Sequence, residues 1–317
     1  MGPWNIAHRG GAKLYPENTL AAFANAVSRG CAGAELDIQL SRDGEVIVHH
    51  DYRLKPDLCR DADGRWLVSP TPRIKDLTFD ELRRFDVGRA NPAGDYARKH
   101  GRVVWRDGEC IPSLDEVIAV AKTARAPFRL FVELKTSFSH REESALPGEL
   151  AERAVEVLKA HRYLDRTVFV GFDWPGLLYV KKIAPDAQCW FTTLPQSWFC
   201  DGTPPPEDDP PADPALQMLR YWAREGCSPW AGGYDAVKHG GSIVAAIKAA
   251  GGDGWFPTYT DINAQTVAEA RSLGLKIGAW TVDDPAQMRA LAALGIDAIC
   301  TDRPDLMKAN GEVANSK

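Results

Sequence analysis

No apolar run in this 317-residue chain approaches the roughly 20 residues needed to cross a bilayer, so stable membrane insertion is not expected. Ahead of His8 there is no room for a basic segment, an apolar segment and a cleavage site, and no secretory leader is read there. The seven cysteines, Cys31, Cys59, Cys110, Cys189, Cys200, Cys227 and Cys300, are odd in number and scattered, without C-x-x-C or zinc-ligand spacing. That argues against a disulfide framework and a structural zinc site, and for reduced thiols in a cytoplasmic protein. Positive charge is short as well. The formal net charge of -5 leaves no broad basic face, so nucleic acid and anionic membrane surfaces are not expected partners. No G-x-G-x-x-G fingerprint follows the first apolar run, which weighs against an open dinucleotide-binding sheet. No internal repeat is visible beyond an alternation of strand and helix patterns.

What the chain does contain is concentrated near its start. Residues 4–7 read as a strand closing on His8-Arg9-Gly10, and residues 34–38 as a second strand carrying Glu35 and Asp37. Side chains two apart on a strand share a face. Burying two unpaired carboxylates side by side is strongly unfavourable, so that face must be solvated or given a cation. His50-Asp51 follows within the first sixth of the chain. Two histidines and two carboxylates in one such stretch can bind a metal and move protons.

Taken in order, His8-Arg9-Gly10, Pro16-Glu17-Asn18-Thr19, Ala22-Phe23, Glu35-Leu36-Asp37, Asp43-Gly44 and His50-Asp51 resemble the signature of the glycerophosphodiester phosphodiesterase family. Glu133-Leu134-Lys135, Trp280-Thr281-Val282 and Thr301-Asp302-Arg303-Pro304 resemble later strand ends of that family. The likeness spans the chain and is densest over residues 4–51. Asp283 is a departure, since the family often has Asn after Trp-Thr-Val. The resemblance implies a (β/α)₈ barrel and hydrolysis of glycerophosphodiesters to sn-glycerol 3-phosphate and an alcohol, by way of a cyclic phosphate. It also implies that Trp280 contacts the glycerol carbons.

The periodicity of the chain leads to the same fold. Apolar runs recur at 128–134, 167–170, 187–191, 254–256, 275–280 and 297–300, which with the two opening runs makes eight. Amphipathic segments lie between them at 18–29, 113–122, 149–160, 176–183, 242–250, 264–273 and 285–294. Eight strands alternating with helices predict an α/β fold, a closed (β/α)₈ TIM barrel, with catalytic residues at the C-terminal strand ends. With 44% hydrophobic residues the chain can fill one large core, and residues 1–317 are expected to form a single elaborated domain. Residues 52–112, with a predicted hairpin at Asp63-Gly64 and a helix at 80–84, are an insertion after strand 2. Residues 195–240 are a Pro- and Trp-rich excursion after strand 5, too proline-rich for regular structure. Its Trp198, Phe199, Tyr221, Trp222, Trp230 and Tyr234 suit either a substrate wall or a small core of the loop's own.

Glu35, Asp37 and Glu133 offer hard oxygen ligands for one divalent cation, Mg²⁺ or Ca²⁺. Arg9 and Lys135 supply phosphate-binding charge. His8 and His50 are the expected acid and base, the order between them open. Each acid alone would read as a salt-bridge residue, and only their joint placement makes a site. His49 should point away from His50 and be structural. Glu17 and Asn18 should start a helix and support the site, with Asn18 as its cap. His100, His140, His161 and His239 lack a motif and read as surface residues. The expected partner is a small phosphodiester. A lysophospholipase D activity with an acyl chain against the aromatic loop, and a non-catalytic binding barrel, are the rival readings.

Overall fold

The computed structural model describes residues 2–199, 212–308 and 311–313. Its strands are Trp4–Ala7 (β1), Gly33–Leu40 (β2), Val46–Val48 (β3), Arg129–Leu134 (β4), Thr167–Gly171 (β5), Gln188–Thr192 (β6), Gly254–Phe256 (β7), Lys276–Ala279 (β8) and Ala298–Thr301 (β9). All but β3 pair in parallel, and β1 pairs with β2 on one side and β9 on the other. The ring of eight is therefore closed, which rules out the open sheet. β3 runs antiparallel to β2, with Ile38 opposite Val48, and extends that strand beyond the ring as a hairpin.

The helices are Leu20–Ser28 (α1), Phe79–Leu82 (α2), Asp95–Lys99 (α3), Leu114–Ala121 (α4), Pro147–Ala160 (α5), Trp174–Ile183 (α6), Asp213–Glu225 (α7), Ile243–Ala249 (α8), Ala264–Ser272 (α9) and Pro285–Ala293 (α10). Several of their starts, among them those of α1, α4, α9 and α10, are fixed by side-chain caps. Ser113 and Glu116 form a reciprocal capping box at α4, and Asn263 and Asp284 accept the first free N–H groups of α9 and α10. At α1 the cap is Thr19, not the expected Asn18, and Thr19 Oγ1 accepts the Ala22 N–H at 3.2 Å. Asn18 is drawn away to the site described below.

Strand alternation sorts side chains between two layers. Leu36, Ile38 and Val132 face outward into the helix-covered core, while Ile6, Phe131, Val170, Trp190 and Phe256 fill the barrel interior. Residues 52–112 gather a separate apolar cluster around Leu54, Cys59, Ile74, Leu82 and Ile111. The expected Asp63-Gly64 turn is there, with Arg60 bridged to Trp66 and Gly64 at φ +78°.

The expectation of no regular structure in 195–240 is wrong. α7 runs for 13 residues inside it, with Leu216 and Leu219 buried on one face. Proline density misled the reading. Most of those prolines lie at 204–211, outside the described residues, while Pro214 occupies the first turn, where a missing N–H breaks no intrahelical bond. Trp230 is buried, and Trp198, Phe199, Trp222 and Tyr234 pack against the main core.

The Trp190 indole needs space that neighbouring strands yield by carrying glycine. A Cβ at Gly254 would sit 2.6 Å from that ring. Replacing Gly254 with Ala should cost about 1–3 kcal/mol through overpacking. A lowered thermal unfolding midpoint, partly restored by adding Trp190→Phe, is the expected result.

Candidate active site

Because the ring strands are parallel, their C-terminal ends share one rim. β1 runs directly into His8 and Arg9, β2 presents Glu35 and Asp37, and β4 brings Glu133 into register beside Asp37. One oxygen from each of Glu35, Asp37 and Glu133 lies within 4.8 Å of the other two, the one group of three or more acidic, His or Cys ligands among the described residues. Glu35 and Asp37 are 2% and 1% exposed.

Neighbouring groups treat these two carboxylates differently. Glu35 Oε2 accepts the Arg9 backbone N–H at 3.0 Å and lies 3.8 Å from His8 Nε2, while its Oε1 is buried without a hydrogen-bond partner. Burial, Asp37 and Glu133 push Glu35 up to about 8, against the opposing pull of His8 and Arg9. For Asp37 burial acts upward too, yet His50, Arg9, Lys135 and the Asn18 amide hold it below the usual carboxylate range. Asn18 Nδ2 donates to Asp37 Oδ2 at 2.8 Å, and Lys135 Nζ lies 3.7 Å from Asp37 and 2.9 Å from Glu133. One acid keeps a proton so that its neighbour can ionise, the usual outcome for crowded carboxylates. Three hard oxygen donors and an orphaned buried carboxylate oxygen fit a Mg²⁺- or Ca²⁺-like cation.

His8 Nδ1 is 2.6 Å from Asp302 Oδ1, which leaves Nε2 turned toward Glu35. Burial would lower the His8 pKa, but the Asp302 charge and hydrogen bond outweigh it and raise the group to about 9. His50 lies beyond β3 with Nδ1 3.2 Å from Asp51. Gln39 Nε2 pins that segment by donating to the His49 and Asp51 carbonyls, each at 2.8 Å. His49 is buried and shares the lining of a small cavity with Glu17, Asn18 and Tyr96, and burial lowers its pKa. Trp280 follows β8 with its Nε1 donating to the Phe256 carbonyl at 2.9 Å and its ring edge-on to Phe172. Of the four histidines expected at the surface only His140 is exposed. His100 stacks on Tyr96 at 3.8 Å, and His161 and His239 are half-buried.

Four residues escaped the sequence reading. Gln39 continues the Glu35, Asp37 alternation and was findable on that ground. Asp302 ends the strand beside β1, and its motif was noted without a role. Asp283 Oδ1 accepts the Thr301 hydroxyl and Asp302 N–H at 2.9 Å each, and Oδ2 accepts Lys13 Nζ at 2.6 Å. The acid in place of Asn thus adds an ion pair that braces Asp302. Tyr96 had no signal at all. It reaches in from α3 to donate its hydroxyl to Glu17, which in turn accepts Arg9 Nη1 at 2.9 Å.

Two predictions follow from this geometry. Since Glu35 holds its proton up to about 8 in the cation-free site, a cation must displace it, and apparent affinity should weaken about tenfold per pH unit below that value. Calorimetric titration with Mg²⁺ or Ca²⁺ checks this, and a pH-independent affinity would remove Glu35 from the ligand set. Tyr96→Phe leaves Glu17 and Arg9 one charged hydrogen bond short, so about a tenfold rise in KM is expected with kcat and unfolding midpoint little changed. A fall in kcat alone would contradict that placement.

The sequence profile of the Glycerophosphoryl diester phosphodiesterase family matches residues 8–306. The glycerophosphodiester phosphodiesterase of Caldanaerobacter subterraneus is 27% identical over 305 residues, covering 95% of each chain. The enzyme of the same name from Bacillus altitudinis is 27% identical and covers 95% of this chain and 94% of its own. Among solved structures, a candidate glycerophosphoryl diester phosphodiesterase from Silicibacter pomeroyi superposes with a TM-score of 0.75 at 28% identity, covering 94% and 89% of the two chains. An Oleispira antarctica phosphodiesterase in complex with the product sn-glycerol-3-phosphate shares the fold, with a TM-score of 0.65 at 22% identity and coverage of 96% and 94%.

Proposed function

The chain belongs to the glycerophosphoryl diester phosphodiesterase family, and we propose that it hydrolyses glycerophosphodiesters to sn-glycerol 3-phosphate and an alcohol at the rim built by Glu35, Asp37, Glu133, His8 and His50. The observation that carries the reading is the carboxylate trio, with Glu35 and Asp37 buried and one Glu35 oxygen orphaned, flanked by Arg9, Lys135 and His8. A cation held by the three acids would polarise a phosphoryl oxygen. Arg9 and Lys135 neutralise the remaining phosphate charge, Arg9 being oriented by Glu17 and Lys135 by Glu133. Trp280 offers an apolar face to the glycerol carbons.

His50 takes the proton of the glycerol 2-hydroxyl, whose oxygen then bonds phosphorus. The P–O bond to the head-group alcohol breaks, and His8, kept protonated by Asp302, delivers its proton to the departing oxygen. Water opens the cyclic phosphate with the histidines in exchanged roles. Its hydroxyl goes to phosphorus and its proton to the ring oxygen, which restores the 2-hydroxyl. The Oleispira phosphodiesterase binds the product that this sequence of steps releases. A non-catalytic barrel is set aside by the family to which the chain belongs. The cytoplasmic location and the arrangement of 52–112 and 195–240 as elaborations of one domain are part of the proposal. Unpaired thiols at the six described cysteines support the former.

His8→Ala and His50→Ala should each lower turnover of glycerophosphocholine by about 10² or more without changing the unfolding midpoint. A 2-deoxyglycerol diester should not be cleaved. Near-wild-type turnover by either variant would remove that histidine from proton transfer, and equal cleavage of the deoxy diester would replace glycerol attack with direct attack by water.

A further inference from the structure

One buried titratable group takes no part in the steps above. His49 follows β3, and its backbone is tied to the strand that carries the acids. The His49 N–H donates to the Asp37 carbonyl at 2.9 Å, and the His49 carbonyl accepts Gln39 Nε2 at 2.8 Å. The side chain is thereby held at a fixed point beside the rim. The residue is 7% exposed, and its Nε2 is buried without a hydrogen-bond partner among the described residues. Leaving a buried polar atom unpaired is unfavourable, and a water is the usual remedy where the protein leaves room. Glu17, Asn18, His49, Leu58, Tyr96 and Trp105 line a cavity with about 10 Å³ open to a water centre, the space of one water and no more. Glu17 is close enough for its charge to act on the imidazole.

Of the polar groups on that cavity wall, Glu17 is the one that holds a phosphate-binding residue. Its Oε1 accepts Arg9 Nη1 at 2.9 Å, and its Oε2 accepts the Tyr96 hydroxyl. Each carboxylate oxygen has a second lone pair and can take one more donor. We propose that His49 is a positioning residue for Arg9, acting through one buried water that bonds His49 Nε2 on one side and the Glu17 carboxylate on the other. The proposal rests on the phosphodiesterase reading, since it gives His49 a part in holding the substrate phosphate. A water both donates and accepts, so either tautomer of the neutral imidazole completes the bridge. The contacts then form a closed ring. Asp37 holds the His49 backbone, His49 reaches Glu17 through the water, Glu17 holds Arg9, and Arg9 Nε lies 3.3 Å from Asp37 Oδ2. Arg9 is thus fixed relative to the acids from two sides, once directly and once by way of His49.

Asparagine places its amide nitrogen where histidine has Nδ1, and glutamine places its own where histidine has Nε2, so two variants separate the ring nitrogens. His49→Asn should raise the KM for glycerophosphocholine about three- to tenfold with kcat and unfolding midpoint little changed, because Arg9 binds the phosphate before and during reaction alike. His49→Gln should return KM to near the wild-type value. A high-resolution crystal structure of the wild-type protein should show one water within hydrogen-bond distance of both His49 Nε2 and Glu17. An unchanged KM in His49→Asn overturns the proposal, and so does a KM raised alike in both variants. A fall in kcat and midpoint shared by both would make His49 a packing residue and overturns it too. A dry cavity, or a water that does not reach Glu17, overturns it whether or not either variant folds. Absence of glycerophosphocholine turnover in the wild type would instead refute the phosphodiesterase reading, and the crystallographic water reports on the bridge separately.

Discussion

The constraint on which the site depends is the placing of buried Glu35 and Asp37 and half-buried Glu133 within one cation's reach of each other. Like charges at that spacing in a protein interior cannot all ionise without compensation. The chain answers with backbone as well as side chains. Arg9 and Asn18 both adopt positive φ, +51° and +55°, a conformation that costs a non-glycine residue roughly 1–2 kcal/mol. In return the Arg9 amide faces Glu35 and the Asn18 amide faces Asp37. The strain at those two positions follows from the acids, and so does the transfer of the α1 cap to Thr19.

Compensation remains incomplete without a further positive charge. Arg9 is shared between Asp37 and Glu17, and Lys135 between Asp37 and Glu133, which leaves Glu35 to hold a proton. A proton and a divalent cation are therefore alternative occupants of the same electrostatic position. His8 is shielded from that competition by Asp302, whose own placement is braced by Asp283 and Lys13. The bracing crosses from β9 to β1, the pair of strands that closes the ring. Barrel closure and the orientation of the histidine are thus one structural fact.

The eight ring strands were legible because each is a short apolar run bounded by an amphipathic helix, a periodic signal that tertiary packing reinforces. The shared face of Glu35 and Asp37 was legible for the same reason, since period-two alternation states which face a strand residue takes, whereas Glu133 was read from the family resemblance. Asn18 was misjudged because cap propensity is a local preference worth about 1 kcal/mol, and a buried carboxylate in need of a donor outweighs it. α7 was missed because proline density was averaged over a segment in which most of the prolines precede the helix. Tyr96 lies 79 positions from Glu17 in the chain. No periodicity links residues so far apart, and only the packing of 52–112 against the rim brings them together.

The rim that results is chemically divided. Strands β9, β1, β2 and β4 end in Asp302, His8, Arg9, Glu35, Asp37, Glu133 and Lys135, whereas β5, β6 and β8 lead into Phe172, Leu194 and Trp280. Each elaboration of the barrel meets the half whose chemistry it shares. Residues 52–112 send Tyr96 to the Glu17–Arg9 pair, and the excursion after β6 lays Phe199 and Trp230 beside Leu194. An elaboration that packs against a charged half must supply hydrogen bonds to be stable there, since an unpaired buried polar group costs about 1–3 kcal/mol. One that packs against an apolar half needs only surface to bury. The division of the mouth thus sets what each appended segment could become, a support for the Glu17–Arg9 ion pair on one side and a wall of apolar side chains on the other.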